Sequence, residues 1–146
     1  MVNASKKITI VGGSGALGAG LAKRWARKGH QIIIGSRDEK RASEAATRLN
    51  NEAGTKSIIG LENKEASENG EIVVLTVPFS NHMSTLSLIA PVLDNKILID
   101  VTVPLVPPKV RTVHISGPIS VEPNLVLVCD SKTGSITLML MAAFIA

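Results

Sequence analysis

Apolar positions along this chain fall into short continuous runs, and the stretches between them carry apolar residues every three or four positions. That is the pattern of strands buried on both faces alternating with amphipathic helices. Residues 7–12, with Ile8, Ile10 and Val11, predict a short buried strand that runs straight into Gly12-Gly13-Ser14-Gly15-Ala16-Leu17-Gly18. Leu17, Leu21 and Trp25 then recur every fourth position. This predicts a helix ending near Gly29 whose core-facing stripe includes Trp25. Lys23, Arg24, Arg27 and Lys28 fall late in that helix, where its dipole favours positive charge.

Ile32-Ile33-Ile34 predicts a second strand over 31–35. The polar, alanine-rich segment 38–51 predicts a helix, with Gly54 as its stop. Residues 57–61 read as a third strand, followed by a brief polar helix through Glu68 and a turn at Asn69-Gly70. Residues 72–77 give the strongest strand signal, ended by Pro78, which cannot donate to a ladder. A helix over 80–90 and a strand over 96–101 follow. The proline-rich stretch 103–108 reads as an irregular loop, 110–115 and 125–128 as further strands, and 135–146 as a buried C-terminal helix. Strands alternating with helices, without repeats, imply an α/β fold. The expected form is a Rossmann-like, doubly wound and mostly parallel sheet with helices on both faces, formed by residues 1–146 as one domain.

Composition narrows the function. With 45% apolar and 19% charged residues the chain has a globular make-up. Its net charge of +4 comes from dispersed basic residues without interleaved aromatics, so no nucleic-acid partner is expected. Cys129 is the single cysteine, and three scattered histidines give no zinc-ligand spacing. The N-terminus lacks an apolar run ahead of a cleavage site, and the apolar 135–146 is far short of the roughly 20 residues that span a bilayer, so a cytoplasmic protein is expected.

Gly13, Ser14, Gly15, Ala16, Leu17 and Gly18 match G-x-G-x-x-G between the first predicted strand and helix, the context in which that motif binds a dinucleotide. Gly13 is expected to make the tight turn, Gly15 to admit the pyrophosphate against the backbone, and Gly18 to let helix and sheet pack closely. The helix start supplies unpaired N–H groups for the phosphates. Eighteen residues past Gly18 stands Ser36, followed by Arg37, where NAD-selective sites place a carboxylate. A hydroxyl beside a guanidinium suits the 2′-phosphate of NADP instead, and Lys40 and Arg41 add charge. The absence of tyrosine rules out a Tyr-x-x-x-Lys acid–base pair. No G-K-[S/T] or G-x-S-x-G is present, so P-loop and hydrolase chemistries are also excluded.

In their order and spacing, the glycine turn, Gly35-Ser36-Arg37, Leu75-Thr76-Val77-Pro78-Phe79 and Asp100-Val101-Thr102-Val103-Pro104-Leu105 resemble the NADPH-dependent reductases of the deazaflavin coenzyme F-420 (F420). The resemblance covers roughly residues 7–113. It implies reversible hydride transfer between NADP(H) and F420, with Ser14, Gly15, Ala16 and Leu17 on the diphosphate. It further implies Ser36, Arg37 and Arg41 on the 2′-phosphate, and Val77, Pro78 and Phe79 beside the nicotinamide. No general acid or base is assigned, and His82 is read as a partly exposed polar residue. Relatives of this kind carry an extra segment where 116–124 is short, and they continue into helices that close the site and help to dimerise. This chain therefore reads as shortened at its C-terminus, with a homodimer as an option. The alternatives are an NADP-binding module or incomplete paralogue without turnover, or an NADPH-dependent reductase of another acceptor, an imine or a ferric chelate.

Overall fold

A computed structural model describes residues 5–102, 105–106, 109–113 and 138–139. Its elements run β1 (Lys7–Val11), α1 (Ala16–Arg27), β2 (Gln31–Ser36), α2 (Glu39–Ala53), β3 (Ile58–Glu62), α3 (Asn63–Asn69), β4 (Ile72–Leu75), α4 (His82–Ile89), β5 (Ile97–Asp100), β6 (Leu105–Val106), β7 (Lys109–Val113) and β8 (Leu138–Met139). A six-stranded sheet has the order β3-β2-β1-β4-β5-β8 with every pair parallel. Strand order reverses between β1 and β4, and ligands of open α/β sheets bind at such a reversal. The expected Rossmann-like α/β architecture is the one observed.

Register sorts the side chains into two layers. Ile8 and Ile10 lie opposite Ile32 and Ile34 of β2 on one side, and opposite Ile72 and Val74 of β4 on the other. These isoleucines pack with Ile58 and Val74 against Ala22, Ala26, Ala42, Ala45, Ala46 and Leu49 of α1 and α2. Across the sheet, Val11, Val73, Leu75 and Leu98 meet Ile89 of α4. Each fully buried isoleucine contributes about 2 kcal/mol of apolar burial, which is why the continuous runs specify strand positions so firmly.

Four expectations are corrected. The buried face of α1 is Gly18, Ala22 and Ala26. Leu21 and Trp25 only flank the core, and Leu17 is 55% exposed. A helix that sits this close to a sheet has room for small side chains at its contact line and pushes large ones to its shoulders. The strand read over 72–77 stops at Leu75, although Thr76 N–H still donates to Val11 O at 2.9 Å. Within 103–108, read as irregular, β6 pairs antiparallel with β7. Leu138 and Met139 lie beside Ile99 and Asp100 of β5 as a strand, where a helix was expected; a short apolar run cannot be told apart by periodicity alone. The strand read over 125–128 lies outside the described residues.

The helix read over 80–90 starts with a single tighter turn over Phe79–Asn81 before α4. Helix α2 begins on Asp38, whose Oδ1 accepts from Lys40 N at 2.9 Å and Arg41 N at 3.3 Å, and it ends on left-handed Gly54 as expected. Among the described residues no helix is long and apolar enough to cross a membrane.

The tightest approach of helix to sheet is at Gly60, where a Cβ would stand 2.2 Å from the carbonyl carbon and oxygen of Ala42. Gly60→Ala is expected to push α2 off β3 and cost about 1–3 kcal/mol. Gly20→Ala, with nothing within 4 Å of the added methyl, is expected to gain about 0.5–1 kcal/mol. Urea unfolding of both variants checks the pair.

Candidate functional site

The loop from β1 to α1 is compact because it carries almost no side-chain volume. Gly12 holds the left-handed conformation at φ +81° and donates its N–H to Gly35 O at 3.0 Å, so the residue that turns the chain is Gly12 and not Gly13. Gly13 is required for a different reason. A Cβ there would lie 2.7 Å from Ile34 Cδ1 and 2.8 Å from Ile10 O. Gly18 lets α1 settle on the turn, since its Cβ would approach Gly13 Cα to 2.6 Å and Thr76 Oγ1 to 2.9 Å. Gly15 is different again: it is exposed, and the nearest atom to an added Cβ is 3.4 Å away. As N-cap of α1 it offers no side chain to the first turn, which also holds no acidic residue. The first N–H groups of α1 are therefore left for an external acceptor.

A cleft of about 550 Å³ runs along this edge of the sheet. Ser14, Gly15, Ala16 and Leu17 form its centre, and Ser36, Arg37 and Arg41 form one end. Val77, Pro78 and Phe79 form the other end. The structure thus brings ten of the twelve expected site residues into one wall; Gly13 is buried behind it and Gly18 beneath it, where they shape the turn. Lys40 is not in the cleft. It lies in a shallow groove with Ser43, Glu44 and Thr47, on another side of α2.

The basic end has open charge. Arg37 and Arg41 are exposed, and among the described residues neither guanidinium has an ion pair or hydrogen bond. Asp38 also lines the cleft, and sequence reasoning passed over it. Its carboxylate caps α2 by accepting two backbone N–H groups, which leaves two guanidinium charges facing one engaged carboxylate. Ser36 Oγ accepts from Asp38 N at 3.3 Å, which fixes the bend into α2.

At the other end Thr76 Oγ1 donates to Val11 O at 2.9 Å and ties the end of β4 to β1. His82 is mostly buried, at 14% side-chain exposure, and its Nε2 lies 2.5 Å from Oδ2 of Asp100, itself 1% exposed. The other carboxylate oxygen, Oδ1, accepts from Thr102 N at 2.9 Å. The His82 ring stacks on Phe79 with centroids 6.0 Å apart. One carboxylate therefore fixes both the segment after β5 and the ring behind Phe79. His82, read from the sequence as a partly exposed polar residue, is partly exposed, and what the sequence reading did not foresee is its pairing with the buried Asp100. The signal available earlier was the buried aspartate at the end of an aliphatic strand. Asn63, Asn81 and Thr85 also line the cleft and carry no local motif, and Val101 and Thr102, from the Asp100–Leu105 string, line it too.

Residues 7–104 match the family model described as NADP oxidoreductase, coenzyme F420-dependent. This chain belongs to that family. The F420-dependent NADP reductase of Methanothermobacter thermautotrophicus is 45% identical over 101 residues, which cover 68% of this chain and 44% of the relative. The chain thus spans less than half the length of that relative. A solved structure from Arthrobacter sp., provisionally assigned as an F420-dependent NADP reductase, superposes with a TM-score of 0.64 at 23% identity, over 82% of this chain and 54% of its own. The lactate dehydrogenase of Cryptosporidium parvum superposes at 0.58 with 19% identity, over 72% of this chain and 39% of its own. These two likenesses concern the fold. In this NADP oxidoreductase family member the glycine turn, the basic end and the Pro78-Phe79 end all lie within the matched span.

Asp100→Ala leaves Thr102 N–H and the His82 ring without their acceptor in a buried setting. The expected cost is about 2–4 kcal/mol, read as a lower midpoint in urea; a cost near zero would mean that the carboxylate ties nothing together.

Proposed function

We propose that this chain binds NADP(H) across the carboxyl edge of the sheet and serves as the nucleotide-binding part of an NADPH:F420 oxidoreductase. The observation that carries the reading is the pair of guanidinium groups, Arg37 and Arg41, unpaired among the described residues, at the end of the same cleft that opens over Gly15. The residues fit the group. Open space at Gly15 and the uncapped start of α1 suit a diphosphate, and the arginines with Ser36 suit a 2′-phosphate where NAD-selective sites have a free carboxylate. The apolar end at Val77, Pro78 and Phe79 suits a flat ring.

The hydride acceptor is argued from kinship: the names of the similar curated proteins pair NADP with F420. The two coenzymes supply the reactive carbons themselves, and the reaction is reversible hydride transfer between them. The chain's residues bind, orient and exclude water. The glycine turn anchors one coenzyme at its centre, the arginines fix which end lies where, and the Asp100–His82 pair holds Phe79 and Thr102 at the reacting end. Orientation of this kind removes a large part of a bimolecular barrier.

Charge-assisted hydrogen bonds contribute about 1.5–3 kcal/mol each. Arg37→Asp is accordingly expected to weaken NADPH binding about a hundredfold and to leave NADH binding nearly unchanged. Calorimetric titration reads both, and an equal loss for the two would reject the phosphate assignment. Mixing the chain with NADPH and F420 is expected to bleach the deazaflavin band; NADPH binding without bleaching would reject F420 as the acceptor for this chain.

A further inference from the structure

Among the described residues, two buried side-chain oxygens have no hydrogen-bond partner, Asn63 Oδ1 and Thr102 Oγ1. Three other buried polar side chains in the same fold, those of Thr9, Ser67 and Asp100, are paired. Thr9 Oγ1 donates to Ala66 O at 2.5 Å, Ser67 Oγ donates to Asn63 O at 2.8 Å, and Asp100 accepts from both His82 and Thr102 N. An orphan of this type destabilises a fold, so two that persist call for a cause. Both sit in the wall of one cleft, although Asn63 is 2% exposed and Thr102 4%.

They stand at its two ends. Asn63 lies against Gly35, whose added Cβ would come within 3.0 Å of Oδ1, and so borders the Ser36–Arg37 end. Thr102 follows Val101 at the end that holds Pro78 and Phe79, and its backbone is fixed there by Asp100. We infer that both side chains are dinucleotide contacts: the Asn63 carboxamide for the adenosine half, and the Thr102 hydroxyl for the carboxamide of the nicotinamide ring. The proposal needs each polar atom to reach the cleft that its residue lines, and χ2 of Asn63 and χ1 of Thr102 are the torsions that would bring it there. A hydroxyl both donates and accepts, and so matches either end of a carboxamide. The inference rests on the NADP(H) reading above and extends it to residues outside the glycine and arginine motifs.

The test combines calorimetric titration of the full chain with NADPH and with adenosine 2′,5′-bisphosphate, which lacks the nicotinamide, and melting without ligand. Thr102→Val removes an orphan without changing shape, so the unliganded melting temperature is expected to hold or rise. NADPH binding is expected to weaken about tenfold, while the bisphosphate binds as before. Thr102→Ser keeps the hydroxyl and is expected to retain NADPH binding. Asn63→Leu, close in size, is expected to weaken both ligands by the same factor. Unchanged NADPH binding by Thr102→Val, or equal loss of both ligands with a lower melting temperature, overturns the role of Thr102. Unchanged affinities in Asn63→Leu overturn that of Asn63. Wild-type chain that binds neither ligand overturns the NADP(H) reading itself, an outcome distinct from wild-type binding that these substitutions leave unaltered.

Discussion

The contact that sets the rest in place is backbone against backbone at the start of α1. A Cβ on Gly18 would stand 2.6 Å from Gly13 Cα, and one on Gly13 would stand 2.8 Å from Ile10 O. With no side chains in between, α1 begins directly over the ends of β1 and β4. Its first N–H groups then face the cleft, and Thr76 reaches back to Val11 across the point where strand order reverses. Any side chain in that contact lifts the helix start and takes the cleft floor with it.

Close approach continues along both helices on that face. The buried residues of α1 are Gly18, Ala22 and Ala26, and alanine predominates in α2, whose backbone at Ala42 leaves no room for a Cβ on Gly60. Small residues draw both helices onto the isoleucine layer of the sheet. The N-terminus of α2, capped by Asp38, is thereby held beside the β1–α1 turn, so the packing that stabilises the layer also fixes the spacing from the glycines to Arg37 and Arg41. Across the sheet a single buried carboxylate, Asp100, organises the opposite end of the cleft through His82 and Thr102.

What the sequence could tell follows from how local each signal is. The isoleucine runs, the Gly54 stop and the position of the glycine turn between β1 and α1 are each written within a few neighbouring residues, and the structure has them where they were read, although the turn itself is made by Gly12 and not Gly13. The buried face of α1 was misread because a stripe of Leu17, Leu21 and Trp25 outweighs alanines on a hydrophobic scale, whereas the available space decides in favour of the alanines. His82 and Asp100 are eighteen residues apart and meet only when α4 packs beside β5. Asn63 carries no pattern, and Thr102 stands within the Asp100–Leu105 string of the resemblance without a role read from it; their burial without a partner is what marks both. The β6–β7 pairing and the placement of β8 depend on contacts that periodicity does not encode.

The cleft unites three features that are separate in the chain: an uncapped helix start over an open glycine, two guanidiniums without a partner among the described residues, and an apolar end held by a buried carboxylate. Their spacing along one sheet edge suits a phosphorylated dinucleotide lying extended across it. A crystal structure of the chain with bound NADP+ tests this most directly. The account predicts the diphosphate on the N–H groups of Ser14, Ala16 and Leu17, Gly15 N–H being held by Gly12 O, and the 2′-phosphate within hydrogen-bonding distance of both Arg37 and Arg41. A coenzyme bound elsewhere, or one whose 2′-phosphate points into solvent away from both arginines, would contradict it.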